Sequence, residues 1–223
     1  MKLIRRNDYV QWLNKYRDKQ VIKVVTGLRR VGKSKIFELY IDELKASGVS
    51  AEQIVLINFE EMENAALKEK TALYQYIISK TQPDKMLYVL LDEIQAVPQF
   101  EEVVDSLFVK PNIDVYITGS NAKFLSSEIA TVLTGRYVEI NVLPLSFKEY
   151  CDHYSFTGKD RRALFMDYIT YGAMPGMTMF ELGSSEQREY IEGVYKTILE
   201  KDVLKRNSVA SRQLVEHILS YLM

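Results

Sequence analysis

The chain alternates short apolar runs with longer segments whose apolar positions recur every three or four residues. The runs at 21–26, 54–58, 86–92, 114–119 and 137–142 predict strands, and the periodic segments at 8–19, 33–46, 67–79, 100–108 and 124–133 predict helices. In the first of these helices Tyr9, Trp12, Leu13 and Tyr16 share a face. Strands that are apolar along their whole length are buried on both sides, and strands separated by helices are joined by crossovers. The pattern therefore predicts an α/β fold with a parallel sheet covered on both faces.

The alternation stops near Pro144. Beyond it only helical segments are expected, at 146–154, 161–171 and 186–203, with Gly172 and Pro175 breaking the middle. The expected organisation is an α/β core over 1–143, a small helical lid over 144–206, and 207–223 as the start of a further, truncated domain. The last expectation rests on 211–223, a helical pattern with no stop signal, whose Leu214, Ile218, Leu219 and Leu222 need a covering partner.

Composition narrows the function classes. A chain of 223 residues that is 47% hydrophobic can bury one sizeable core, with room for a small satellite. Its net charge of −1 gives no global attraction to nucleic acid or anionic membrane. Lys159, Arg161, Arg162 and the Lys201, Lys205, Arg206 cluster remain as local basic runs, which read first as solvated helix faces. Cys151 is the only cysteine, which excludes an internal disulfide and any multi-cysteine zinc site and suits a reducing cytoplasm. Its aromatic neighbours suggest a core position. No apolar run is long enough for a membrane span, and none follows the N-terminal charges as a signal peptide would.

Residues 27–34, Gly27-Leu28-Arg29-Arg30-Val31-Gly32-Lys33-Ser34, match G-x-x-x-x-G-K-[ST] in full. The match follows a predicted buried strand and opens a predicted helix, which continues at Lys35. Glycines let the backbone pass close to phosphates, and successive N–H groups with the helix's positive end receive them. Lys33 supplies a cation for the β- and γ-phosphates, and the Ser34 hydroxyl is suited to Mg²⁺. The expected ligand is a nucleoside triphosphate, ATP, with Mg²⁺.

A second element is the strand ending Leu90-Leu91-Asp92-Glu93. Acids at the tip of a buried strand are costly without a partner, and Mg²⁺ held by Asp92 opposite Ser34 supplies one. Glu93 is then placed to activate water as a general base, which favours hydrolysis over transfer to a hydroxyl. The next strand ends Ile117-Thr118-Gly119-Ser120-Asn121, where Ser120 or Asn121 is a candidate to contact the γ-phosphate or the water, or to cap the following helix. Arg136 lies between a predicted helix and the fifth strand; it reads either as a finger for a neighbouring subunit's γ-phosphate or as an ordinary ion-paired arginine.

Together these residues resemble the AAA+ superfamily, and within it the prokaryotic AAA-family ATPases with a helical lid and a further C-terminal domain. The likeness is carried by residues 25–34 with their double arginine, by Leu91-Asp92-Glu93-Ile94-Gln95, by the Ser120-Asn121 tip and by Leu133-Thr134-Gly135-Arg136. Leu143-Pro144-Leu145-Ser146-Phe147 and Tyr171-Gly172-Ala173-Met174-Pro175 extend it. The resemblance implies a P-loop NTPase sheet of order 5-1-4-3-2, Asn121 or Ser120 as sensor, and Arg136 in the arginine-finger position. It also implies ATP hydrolysis coupled to lid movement. A homo-oligomer and a protein or DNA partner remain open, as does a slow nucleotide switch in place of a turning-over enzyme.

Overall fold

The computed structural model describes residues 4–119, 133–204 and 221. Helix α1 spans Asn7–Lys15 and buries Leu13. It stops short of the expected residue 19 because Asp18 takes a left-handed conformation, φ 59°, and turns the chain into the sheet. Strand β1, Ile22–Gly27, leads through the glycine-rich loop into helix α2, Lys33–Ala46. Along α2 the residues Ile36, Phe37, Tyr40, Ile41 and Leu44 are buried, the stripe that helical spacing requires. Strand β2 is Ile54–Asn58, helix α3 Lys70–Ser79 and strand β3 Leu87–Asp92. The expected start of α3 at residue 67 falls instead in a 3₁₀ segment, Met62–Lys68, because Glu69 caps α3 by accepting from the Thr71 and Ala72 amides. Helix α4, Phe100–Phe108, and strands β4, Ile113–Gly119, and β5, Tyr137–Val142, complete this half.

The five strands are all parallel, in the order β2-β3-β4-β1-β5, which is the expected order read from the other edge. Burial follows position. Every residue of β3 and β4 is buried, whereas the edge strands β2 and β5 are only partly covered. Apolar side chains of β1, β3 and β4 pack against α3 and α4 in one continuous core.

One feature departs from the apolar reading of the central strands. Lys23 of β1 and Asp114 of β4 are fully buried and form an ion pair beneath the sheet's N-terminal end. Lys23 also donates to the Lys19 carbonyl at 2.9 Å, and Asp114 accepts from the Tyr116 hydroxyl at 2.7 Å and the Asp18 amide at 3.0 Å. The Tyr116 and Tyr40 hydroxyls lie 2.7 Å apart. Burial opposes charge on both ions, pushing the Asp114 carboxyl up and the Lys23 ammonium down, while their pairing works against both shifts.

The chain divides into two compact units between Leu143 and Pro144. In the second, helix α5 spans Phe147–Tyr154, α6 Arg161–Tyr171 and α7 Ser185–Ile198, after which residues Leu199–Leu204 form a π-helical turn. Ser146 and Glu149 form a reciprocal capping box on α5, and Asp160 caps α6 through the Ala163 amide at 2.8 Å. Tyr150, Tyr154 and Leu164 form the unit's core, with partly buried Cys151 packed against it. Lys159 pairs with Asp167 at 2.8 Å. Apart from Leu133 and Tyr221, the expected helices at 124–133 and 211–223 lie outside the described residues, as do Lys205, Arg206 and the Lys201 side chain. No helix among the described residues is long and apolar enough to cross a membrane.

Candidate nucleotide site

The loop between β1 and α2 sits at the C-terminal edge of the sheet, where a parallel α/β fold opens to ligands. Gly27 leaves β1 with φ 144°, and a Cβ there would lie 2.4 Å from the Val142 carbonyl oxygen, so only glycine fits. Arg30 follows in a left-handed conformation, φ 66°, and Gly32, φ 96°, starts α2. Val31 is fully buried and anchors the loop in the core. The first turn of α2 carries no acid, which leaves its positive end uncompensated by its own side chains. The Lys33 ammonium is buried under the loop and donates to the Gly27 and Leu28 carbonyls, each at 3.2 Å. Arg29 turns outward to Glu60 at 3.4 Å, and Leu28 and Lys35 are exposed.

The acidic tip of β3 lies beside this loop. Asp92 is buried and accepts from the Thr118 hydroxyl, and the Ser34 hydroxyl lies close enough to act on its charge. Burial pushes the Asp92 carboxyl above the ordinary aspartate range, an effect opposed by those two hydroxyls. Glu93 takes a left-handed backbone, φ 54°, which carries its side chain off the strand line. One of its oxygens is 3.3 Å from the Lys33 ammonium and the other accepts from the Gln95 amide. The structure therefore brings Gly27, Gly32, Lys33, Ser34, Asp92 and Glu93 together from three segments.

Ser120 and Asn121 lie outside the described residues. Arg136 stands at the opposite edge of the sheet, where its carbonyl accepts from the Ile22 amide that opens β1. Its guanidinium pairs with Asp105 of α4 and lies 5.7 Å from the centre of the Phe108 ring.

Two contributors escaped the sequence reading. Thr118, fully buried, donates to Asp92 and accepts from the Glu93 amide at 2.9 Å, so it ties the β3 tip to β4. Arg6, 5% exposed, donates to the Val31 carbonyl of the loop at 3.1 Å. The first is one threonine in a strand that also carries Asp114 and Tyr116, with nothing local to single it out. The second had only a charged residue ahead of an amphipathic helix, which reads as surface.

The donor set fits a hard divalent cation. Ser34 and Asp92 offer oxygens from α2 and β3, and no group of three or more His, Cys, Asp or Glu among the described residues forms a protein-only cage. Phosphate oxygens and water would complete such a shell, the arrangement Mg²⁺ prefers.

A parallel sheet of this order with a glycine-hinged loop capping a helix, a buried lysine under it and acids on a neighbouring strand tip defines a P-loop nucleotide-binding protein. Residues 19–151 match the family model of an AAA domain, and the chain belongs to that family of nucleotide-binding ATPases. An uncharacterised protein of Haemophilus influenzae is 35% identical over 99% of this chain and 55% of its own length. One from Methanocaldococcus jannaschii is 30% identical over 84% of this chain and 43% of its own. The chain thus spans about half the length of the curated relatives it matches. Among solved structures, the Walker-type ATPase PABY2304 of Pyrococcus abyssi superposes with a TM-score of 0.60 at 18% identity, over 92% of this chain and 76% of that one. At that identity the likeness is one of fold.

Proposed function

We propose that this chain binds ATP with Mg²⁺ in the loop from Gly27 to Ser34 and hydrolyses the β–γ anhydride, with the helical unit after Pro144 moving as a lid. The observation that carries this is the Lys33 ammonium lying within the loop and 3.3 Å from Glu93, with Asp92 and Ser34 side by side next to it. Phosphate oxygens entering the loop replace the Gly27 and Leu28 carbonyls as partners of Lys33. Ser34 and Asp92 would hold Mg²⁺, which supplies charge neutralisation of the phosphates when bound. Glu93 accepts the proton of the attacking water as it adds to the γ-phosphorus, and ADP leaves. Asn121 or Ser120 is proposed to contact the γ-phosphate, and Arg136 to act on the nucleotide of a neighbouring chain in a homo-oligomer. A cytoplasmic setting suits the single thiol.

Measured on the purified chain, Lys33→Ala is expected to abolish ATP binding. Glu93→Gln is expected to keep binding and lose about 10²- to 10⁴-fold in turnover, the usual contribution of a general base. Unchanged turnover in Glu93→Gln would remove Glu93 from the base role. A second reading, a nucleotide switch with slow turnover, draws support from the engagement of Glu93 by both Lys33 and Gln95. Tight ATP binding with a single, slow turnover would favour it.

A further inference from the structure

Phosphate cradles work because consecutive backbone N–H groups face the ligand, and the geometry of the peptide then fixes where the carbonyls go. In a trans peptide the N–H and C=O of one unit point in opposite directions. An N–H turned into the cradle therefore sends its carbonyl outward, into the protein, where a buried acceptor needs a donor. Val31 and Gly32 share such a unit. Val31 is fully buried, and its carbonyl receives the Arg6 guanidinium at 3.1 Å.

Arg6 is itself fixed. It donates to the Leu143 carbonyl at 2.9 Å, and its guanidinium lies 4.5 Å from the centre of the Tyr9 ring. The Tyr9 hydroxyl accepts from the Leu143 amide at 3.2 Å, so the two side chains hold both polar groups of Leu143. Gly27 and Val142 meet directly behind the loop, where a Cβ would collide. The start of the chain, the loop and the end of β5 are thus joined through one buried cation 137 residues from its second partner.

We propose that Arg6 is a positioning residue for phosphate binding. Anchored by Leu143 and Tyr9, it holds the Val31–Gly32 peptide with the carbonyl outward and the Gly32 N–H on the cradle's inner side. This rests on the reading of the loop as a triphosphate site. Without Arg6 the Val31 carbonyl is a buried acceptor lacking this donor, and rotation of the peptide turns that oxygen towards the phosphates. The loss falls on ground state and transition state alike, so it is expected mainly in KM and Kd rather than in kcat.

The test is ATP titration of the full chain as wild type, Arg6→Ala, Arg6→Lys and Tyr9→Phe, with a thermal melt of each without nucleotide. Arg6→Ala is expected to weaken ATP binding about ten- to hundredfold, the usual penalty of an orphaned buried acceptor. Arg6→Lys restores part of this, and Tyr9→Phe, which loses only the anchor, weakens binding about two- to tenfold. KM for hydrolysis should follow Kd. A folded Arg6→Ala with wild-type affinity overturns the proposal. If Arg6→Ala unfolds, Arg6→Lys and Tyr9→Phe decide, and wild-type affinity in both overturns it equally. A folded wild type that binds no ATP would instead overturn the reading of the loop itself.

Discussion

Thr118 has one hydroxyl, which donates to Asp92 and accepts from the Glu93 amide. Thr118→Val keeps the shape and removes both bonds, leaving a buried N–H without this acceptor. We expect a loss of about 1–3 kcal/mol in urea unfolding, together with reduced ATP turnover. Thr118→Ser, which retains both bonds, should stay close to wild type in each assay. Gly27 is constrained differently. Its Cβ would strike the Val142 backbone rather than the end of a mobile side chain, and φ is 144°. Gly27→Ala is therefore expected to lose ATP binding, whereas Gly158→Ala, at φ 69° but facing open space, costs only the local strain of about 1 kcal/mol.

At the level of elements, helix α3 begins where Glu69 accepts from Thr71 and Ala72. Those backbone N–H groups hold the Glu69 carboxyl below its ordinary value of 4.5. A depressed folded value means that this stabilisation is present above pH 4.5 and is lost as pH falls through the lower folded value. Glu69→Ala should therefore melt earlier than wild type at pH 7, with the difference closing in acid. A gap that persists unchanged at low pH would show that the charge is not its source. The ends of α2, α4 and β5 coincide with the sequence reading, because there the apolar period itself stops or a glycine intervenes. The starts of α3 and the end of α1 were not legible, since a glutamate cap and a left-handed aspartate leave the period unbroken. The phosphate loop and the Asp92–Glu93 tip were legible because their chemistry is local in the chain. Arg6, Thr118 and the Lys23–Asp114 pair were not, because each is defined by a partner at least 25 residues away.

For the whole molecule, the position of Arg136 sets a limit on how it can act. It sits at the start of β5, and Gly27 at the far end of β1, about 17 Å away at the usual rise of a parallel strand. An arginine there cannot reach the nucleotide of its own unit while paired with Asp105. If it contributes to hydrolysis it does so in another copy, and the rate per chain should then climb with protein concentration. Mixing Arg136→Ala with Lys33→Ala should restore activity that neither variant has alone, since each supplies what the other lacks. A rate independent of concentration, with no recovery on mixing, would leave Arg136 as a structural partner of Asp105.

The ion pair of Lys23 and Asp114 has a consequence on a different timescale. Removing one member strands the other in the core, at about 3–5 kcal/mol, so Lys23→Met alone is expected to be strongly destabilising. Lys23→Met with Asp114→Leu should recover most of that, less what Tyr116 and Asp18 lose as donors. A lineage can therefore leave this pair only by way of a poorly folded intermediate. Among descendants of a common ancestor the two positions are expected to keep both charges or to have exchanged both, which makes them a marker of descent rather than of activity.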